Sequence, residues 1–218
     1  IYLNEIELPC AYEILDTITP QYISDLISWG AIGARTTESQ VHRQIVSGLS
    51  MPVGFKNGTG GSTDIALDGM VSSQNQHCFM GITNNGEPAI CKTKGNPDTH
   101  IILRGGKDGP NYFEKNLDKL EEDMEIRNLK KGYIIDCSHG NSRKDYTNQP
   151  KVLDYLINQR GMGRRMLVGV MLESNLLSGK QNITTKEKLK YGISVTDSCL
   201  SFNETETIVE KAYNNLEL

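Results

Sequence analysis

The chain has 218 residues, of which 37% are hydrophobic and 23% are charged, and these proportions argue against a disordered chain. The formal net charge of -4 provides no basic surface, so we expect no nucleic-acid partner. The longest apolar run, Arg165–Glu173, is too short to span a bilayer, so we expect no membrane segment.

Short apolar segments alternate with amphipathic segments along the chain, which predicts β–α units around a parallel sheet. The predicted strands are, in chain order, Pro9–Glu13, Ala31–Ala34, Val53–Lys56, His100–Arg104, Tyr133–Cys137 and Met166–Leu172. The predicted helices between them are Thr19–Ser28, Ser62–Ser73, Tyr112–Asn128 and Asn148–Gln159. Caps and apolar spacing support these helices: Thr19 stands before Pro20 at a helix start.

Residues 77–99 interrupt this alternation. They contain Asn85–Gly86 between two strand-like runs, which predicts a β-hairpin insertion. Whether the first run, His77–Ile82, joins the main sheet is left open. Six strand–helix units with short links favour an α/β TIM barrel, but a complete (β/α)8 barrel takes about 250 residues. We therefore expect residues 1–218 to be one domain, the carboxy-terminal portion of an incomplete TIM barrel with about strands 3–8.

The cysteines and the first residue indicate the cellular context of the chain. The five cysteines form no Cys-x-x-Cys pair, which is typical of free thiols in a reducing compartment. The chain opens at Ile1 without a visible secretion signal, so we expect a cytoplasmic protein. Because no Met precedes Ile1, we also expect a fragment or a processed product.

A polar residue follows each predicted strand. In a parallel barrel the carboxyl ends of all strands open onto one face, so these side chains are predicted to converge. The set is Glu13, Arg35, Lys56, Arg104, His139 and Glu173, with Asp197 after the last strand.

The seven residues divide into two chemical groups. Three are cations suited to a phosphorylated substrate. An imidazole and two carboxylates form a ligand set that suits Mn, Fe or Zn. Each residue alone also fits a role without function, since strand-end cations are often simply exposed to solvent and a lone histidine is often structural. The segment Gly54–Gly61 lacks the GxxxxGK[ST] pattern of a nucleotide-binding loop.

At these residues the sequence resembles a known enzyme family. The matching segments are GARTTESQVHR from Gly33, PVGFKNGT from Pro52, HIILRGG from His100, DCSHGNS from Asp136, GVMLESNL from Gly169 and SVTDSC from Ser194. They resemble the aromatic-regulated 3-deoxy-D-arabino-heptulosonate 7-phosphate (DAHP) synthases, in order and over nearly the whole chain. The resemblance implies condensation of phosphoenolpyruvate with erythrose 4-phosphate on a divalent metal, the first step of the shikimate pathway. It also implies a homo-oligomer, a dimer or tetramer, and inhibition by an aromatic amino acid.

The resemblance assigns roles to individual residues of this chain. It implies that phosphoenolpyruvate is held by Ala34, Arg35, Lys56 and Arg104. It implies that Glu13 lies near the reacting carbons, and that His139 and Lys56 share the catalytic work with it. Three of the family's four metal ligands match His139, Glu173 and Asp197, with Mn²⁺ or Fe²⁺ as the expected ion. The inhibitor pocket matches Pro20, Gln21 and Ser50, and the small Ser50 hydroxyl is expected to favour phenylalanine over tyrosine.

Two parts of the family pattern do not match. The fourth metal ligand is a cysteine on the first barrel strand, and Cys10 does not lie in that context. A Lys-Pro-Arg-Thr segment that contacts both substrates is also absent from these residues. We therefore expect this chain alone to bind metal weakly and to be inactive or nearly so.

Two alternatives stay open at this point. The related 3-deoxy-octulosonate 8-phosphate synthases share the barrel and the chemistry, but GARTTESQVHR and the hairpin resemble the heptulosonate enzymes better. A non-catalytic, phosphosugar-binding barrel fragment is the second alternative. It would need only the cations, so the intact His139, Glu173 and Asp197 argue against it.

Overall fold

The computed structural model describes residues 1–83, 85–129 and 132–216. Its strands are β1 (Ala11–Glu13), β2 (Trp29–Ile32), β3 (Val53–Lys56), β4 (Cys78–Ile82), β5 (Pro88–Lys92), β6 (Thr99–Leu103), β7 (Tyr133–Asp136), β8 (Leu167–Met171), β9 (Ser174–Asn175) and β10 (Leu200–Ser201). Its α-helices are α1 (Tyr2–Glu5), α2 (Pro20–Ile23), α3 (Gln40–Val46), α4 (Asp64–Ser73), α5 (Glu114–Ile126), α6 (Gln149–Gly161) and α7 (Phe202–Asn215). Short 3₁₀ turns lie at Ser24–Leu26, Tyr146–Asn148 and Lys186–Lys188.

The main sheet has six strands in the order β1-β2-β3-β6-β7-β8. This succession of strands separated by helices confirms the predicted α/β class. The chain divides into two compact units, Ile1–Ile102 with Lys119–Tyr133, and Leu103–Asp118 with Ile134–Leu218.

The first unit is built on parallel strands. Trp29 of β2 pairs with Ala11 of β1, and Gly30 pairs with Val53 of β3. Strand β6 pairs with β3 in turn, with Thr99 opposite Val53. All four residues of β3 and all five of β6 are buried, as expected for a parallel sheet covered on both faces.

The predicted hairpin segment contains an antiparallel pair of its own. Strands β4 and β5 pair from Cys78 opposite Lys92 to Ile82 opposite Pro88, and they form a separate two-stranded sheet. The run His77–Ile82 therefore contributes its strand to the hairpin. Asn84, within the predicted insertion, lies outside the described residues, as do Glu217 and Leu218 at the end of the predicted domain.

The second unit contains β7 and β8 together with α6 and α7. One face of α6 is buried through Val152, Leu153 and Leu156, as the apolar spacing of this segment predicts. A short parallel pair, β9 with β10, leads into α7.

The structure confirms the six predicted strands to within two residues at each end. The predicted helices are also present, although Thr19–Ser28 divides into α2 and a 3₁₀ turn. Helices α1, α3 and α7 were not predicted. Among the described residues, none of the helices has both the length and the apolar character needed to cross a bilayer.

Candidate metal centre and substrate-binding residues

His139, Glu173 and Asp197 lie together in the second unit. Nε2 of His139 is 3.7 Å from Oε1 of Glu173 and 3.5 Å from Oδ2 of Asp197. One ligand atom from each of the three lies within 4.8 Å of the others. The structure thus brings together three predicted residues, an imidazole and two carboxylates, that are distant in sequence.

These distances fit a divalent metal ion. With metal–ligand bonds of about 2.1 Å, tetrahedral geometry separates neighbouring ligand atoms by about 3.4 Å. The two measured separations from His139 Nε2 are close to this value. A nitrogen and carboxylate oxygens are also the donor types that Mn²⁺, Fe²⁺ and Zn²⁺ accept.

A buried carboxylate fixes the orientation of the His139 ring. Oδ2 of Asp136 is 3.0 Å from Nδ1 of His139, and the Asp136 side chain is only 2% exposed. The Ser138 hydroxyl donates to Asp136 Oδ1, so its oxygen can accept from His139 Nδ1–H, 2.7 Å away. Nδ1 therefore carries the proton, and Nε2 presents its lone pair toward Glu173 and Asp197. Three electron-rich groups then face one another, an arrangement that a cation stabilises.

The backbone around His139 is unusual. Its φ of +51° lies in the left-handed region, which a non-glycine residue adopts only when its surroundings impose it. The two hydrogen bonds of the ring to Asp136 and Ser138 supply part of that constraint.

Glu173 is held by a reciprocal pair of hydrogen bonds. Its backbone N–H donates to Oε1 of Gln149 at 2.8 Å, and Nε2 of Gln149 donates to the Glu173 carbonyl at 3.1 Å. Gln149 is fully buried at the start of α6. The carbonyl of Glu173 also accepts from the backbone N–H of Leu200 at 2.9 Å. The residue after β8 is therefore fixed by its own backbone.

Two buried thiols lie near this centre. Burial raises the pKa of the Cys199 thiol above its usual value; a hydrogen bond with Ser194 opposes this rise, and the charges of Glu173 and Asp197 add to it. Burial likewise raises the pKa of Cys137, which is fully buried. All five cysteines of the chain are free.

Glu13, Arg35 and Lys56 lie in the first unit. Lys56 ends β3 and is 8% exposed, whereas Glu13 and Arg35 are exposed. Buried Thr37 connects the turn that carries Ala34 and Arg35 with β3, because its hydroxyl contacts both Gly33 O at 2.9 Å and Lys56 O at 2.7 Å. Thr37 thus links the backbone of Lys56 to the start of the turn that carries Arg35.

Arg104 lies in the second unit, directly after β6. Its carbonyl accepts a hydrogen bond from the Gly140 N–H at 3.0 Å. The backbone of Arg104 is therefore hydrogen-bonded to the loop that carries His139. The convergence of all seven strand-end residues on one site stays a prediction.

Comparison with known proteins places this chain in a family. The sequence profile of the DAHP synthetase I family matches residues 3–210. This chain belongs to that family.

Members of the family from bacteria and yeast are closely similar to it. The chain is 48% identical over 210 residues to the Tyr-sensitive phospho-2-dehydro-3-deoxyheptonate aldolase of Escherichia coli, covering 96% of this chain and 59% of that protein. It is 49% identical over 211 residues to the phenylalanine-inhibited enzyme of Saccharomyces cerevisiae, covering 94% and 57%. The solved phospho-2-dehydro-3-deoxyheptonate aldolase of Francisella tularensis superimposes with a TM-score of 0.94 at 46% identity, covering 99% of this chain and 63% of the other. The chain thus spans about three fifths of these relatives, and its fold is that of an incomplete TIM barrel.

The three residues predicted to form an inhibitor pocket line one cavity. Pro20, Gln21 and Ser50 all border a cavity of about 860 Å³ in the first unit. The inner face of the hairpin forms another wall through Phe79 and Cys91. The cavity is large enough for an amino acid with an aromatic ring.

The residues that hold the candidate site residues in place were not identified from sequence. Asp136, Gln149 and Thr37 were not assigned a role. The Asp-x-x-His spacing before His139 was visible in the sequence and could have indicated Asp136. Gln149 and Thr37 act through backbone groups distant in sequence, which no local pattern indicates.

Proposed function

We propose that this chain carries the metal centre and phosphoenolpyruvate-binding residues of a DAHP synthase. The enzyme joins phosphoenolpyruvate and erythrose 4-phosphate with water to give 3-deoxy-D-arabino-heptulosonate 7-phosphate and phosphate. The observation that carries this proposal is the grouping of His139, Glu173 and Asp197 in a chain of this family.

The cations hold phosphoenolpyruvate in this proposal. Lys56 is only 8% exposed, and an ammonium group removed from water interacts strongly with a phosphate. Arg35 and Arg104 supply forked donors to phosphate or carboxylate oxygens, and Ala34 supplies a backbone N–H. Glu13 lies near the reacting carbons. Together these contacts bring the enol carbon into reacting geometry and lower the entropy cost of the condensation.

The metal-binding residues act on the second substrate. We propose Mn²⁺ or Fe²⁺ as the ion, held by His139 Nε2 and by carboxylate oxygens of Glu173 and Asp197. When bound, the ion supplies Lewis-acid polarisation of the erythrose 4-phosphate aldehyde. Asp136 keeps the proton of His139 on Nδ1, so that Nε2 stays a lone-pair donor.

The test is the condensation reaction in a chimera. The amino-terminal segment of the E. coli relative, joined to this chain, supplies the cysteine strand and the Lys-Pro-Arg-Thr segment. With Mn²⁺ the chimera is expected to form the heptulosonate product, and chelation or His139→Ala should abolish that activity. Lys56→Ala should raise KM for phosphoenolpyruvate far more than KM for erythrose 4-phosphate, whereas exposed Lys151→Ala should change neither. Activity that survives chelation, or equal rises in both KM values, would refute these assignments.

We also propose that an aromatic amino acid inhibits the enzyme from the cavity at Pro20, Gln21 and Ser50. Related proteins are named Tyr-sensitive and phenylalanine-inhibited, and the cavity joins all three matched residues. Inhibition of the chimera by Phe, Tyr and Trp should favour Phe, and Ser50→Gly should shift the preference toward Tyr. Identical profiles before and after this substitution would remove Ser50 from the pocket. We propose that the enzyme is a dimer or tetramer. We also propose that it is cytoplasmic, because its cysteines are free and free thiols are typical of a reducing compartment.

A further inference from the structure

The loops after β6 and β7 lie backbone against backbone in the second unit. The N–H of Gly140 donates to the carbonyl of Arg104 at 3.0 Å. A Cβ atom on Gly105 would lie 2.6 Å from backbone atoms of Gly140 and Asn141, and one on Gly140 would lie 2.7 Å from the Gly106 nitrogen. Side chains at these two glycines would therefore push the loops apart.

The side chain of Asn141 forms hydrogen bonds with both of these loops. The amide group donates one hydrogen bond to the Leu103 carbonyl at 3.1 Å and one to the Asp136 carbonyl at 2.9 Å. Its oxygen accepts from the N–H of Asn111 at 2.9 Å. Asn111 in turn accepts from the N–H of Gly105 at 2.8 Å. With 2% exposure, Asn141 uses both amide hydrogens and its oxygen inside the protein.

The partners of Asn141 are the immediate neighbours of site residues. Leu103 directly precedes Arg104 in the chain, and Asp136 orients the His139 ring through its carboxylate. A change in the Asn141 bonds would therefore displace Arg104 and His139 relative to each other.

We propose that Asn141 is a positioning residue that holds the Arg104 loop and the His139 loop in one geometry. Through it, the phosphoenolpyruvate-binding and metal-binding groups of the second unit are set at a fixed separation. The inference rests on the proposed function, because it takes Arg104 as a substrate ligand and His139 as a metal ligand. Asn111 has a lesser role, because its side chain contacts the Arg104 loop, at Gly105, whereas Asn141 contacts both loops.

The test measures two affinities of the chimera described above, which supplies the amino-terminal segment of the E. coli relative. Mn²⁺ binding is followed by electron paramagnetic resonance, and phosphoenolpyruvate binding by titration calorimetry. Loss of a residue that supports a metal ligand lowers metal affinity by about 10- to 100-fold. Asn141 contacts Asp136, which in turn contacts the metal ligand His139. Because this effect is less direct, Asn141→Ala should weaken both affinities by about tenfold, the lower end of that range. Asn111→Ala should weaken phosphoenolpyruvate binding and leave Mn²⁺ binding unchanged.

Asn96→Ala is the matched control. Asn96 is also 2% exposed, and its amide donates to the Met51 carbonyl at 3.0 Å in the first unit. Its loss should lower stability without changing either affinity. If Asn141→Ala does not fold, Asn141→Asp keeps the bond from Asn111 and removes both amide donations, and it should weaken both affinities as well.

The outcomes separate this inference from the function on which it rests. A folded Asn141 variant with unchanged Mn²⁺ and phosphoenolpyruvate affinities would overturn the positioning role alone. Equal losses in the Asn96 control would also overturn it, because the effect would then follow stability. If the unsubstituted chimera bound neither probe, the proposed function itself would be contradicted, and the positioning role would fall with it.

Discussion

A hydrogen bond between Trp29 and His100 is expected to make the stability of the fold depend on pH. Nε1–H of Trp29 donates to Nε2 of His100 at 2.9 Å, and the two rings are stacked with centroids 5.8 Å apart. Nε2 must be unprotonated to accept this bond. Burial lowers the pKa of His100 from 6.5 to about 4, although a backbone hydrogen bond with Asp98 opposes the change.

The sign and size of the effect follow from this pKa. Between pH 6.5 and about 4, the unfolded chain binds a proton that the folded chain excludes. The contribution of His100 to the free energy of unfolding therefore falls as the pH drops through this window and levels off below it. At about 1.4 kcal/mol for each pH unit, the loss is about 3 kcal/mol. That is a large part of the total of about 5–15 kcal/mol that stabilises a typical domain.

Urea unfolding at several pH values measures this loss. Trp29 is the only tryptophan of the chain, so its fluorescence reports the transition beside His100. His100→Gln can retain an acceptor for Trp29 but has no proton to bind, and it should remove about 3 kcal/mol of the pH dependence. His77→Gln is the matched control and should retain that dependence. An unchanged pH dependence in His100→Gln would refute the reasoning.

Two further predictions concern the metal site and the last helix. Asp136→Asn should lower the Mn²⁺ affinity of the chain by about tenfold to hundredfold, because His139 loses the carboxylate that orients its ring; unchanged affinity in calorimetric titration would exclude that role. Ser201→Ala should lower the free energy of unfolding by about 1 kcal/mol, because it removes the capping box formed by Ser201 and Glu204. Thr207→Ala, in the same helix but away from its start, should cost less in the same urea experiment, and an equal cost would argue against the cap.

The strands were predictable from sequence because they are buried and sharply bounded. Strand β3 begins after Pro52 and ends before Asn57, and all four of its residues are buried. Its predicted bounds, Val53–Lys56, agree with the structure. Helix α7 was missed for the opposite reason. None of its residues is buried, and the Ser201-x-x-Glu204 capping pattern that marks its start was visible in the sequence but was not used.

The candidate site was predictable mainly where strand ends determine it, although Asp197, which does not end a strand of the main sheet, was also predicted. His139 and Glu173 follow β7 and β8, so the rule that parallel strands present their carboxyl ends together identified them. Asp136 and Asn141 were missed, although both lie beside His139 in the sequence. Their role depends on which backbone groups of distant segments they contact, and local sequence does not specify these contacts.

An anomalous-scattering experiment on crystals soaked with Mn²⁺ tests the central claim most directly. We predict an anomalous difference peak about 2 Å from His139 Nε2 and from carboxylate oxygens of Glu173 and Asp197. The same soak of Asp197→Asn crystals should give a weaker peak. A peak located elsewhere on the chain, or none at a Mn²⁺ concentration that saturates binding in solution, would contradict the assignment of these three residues as the metal centre.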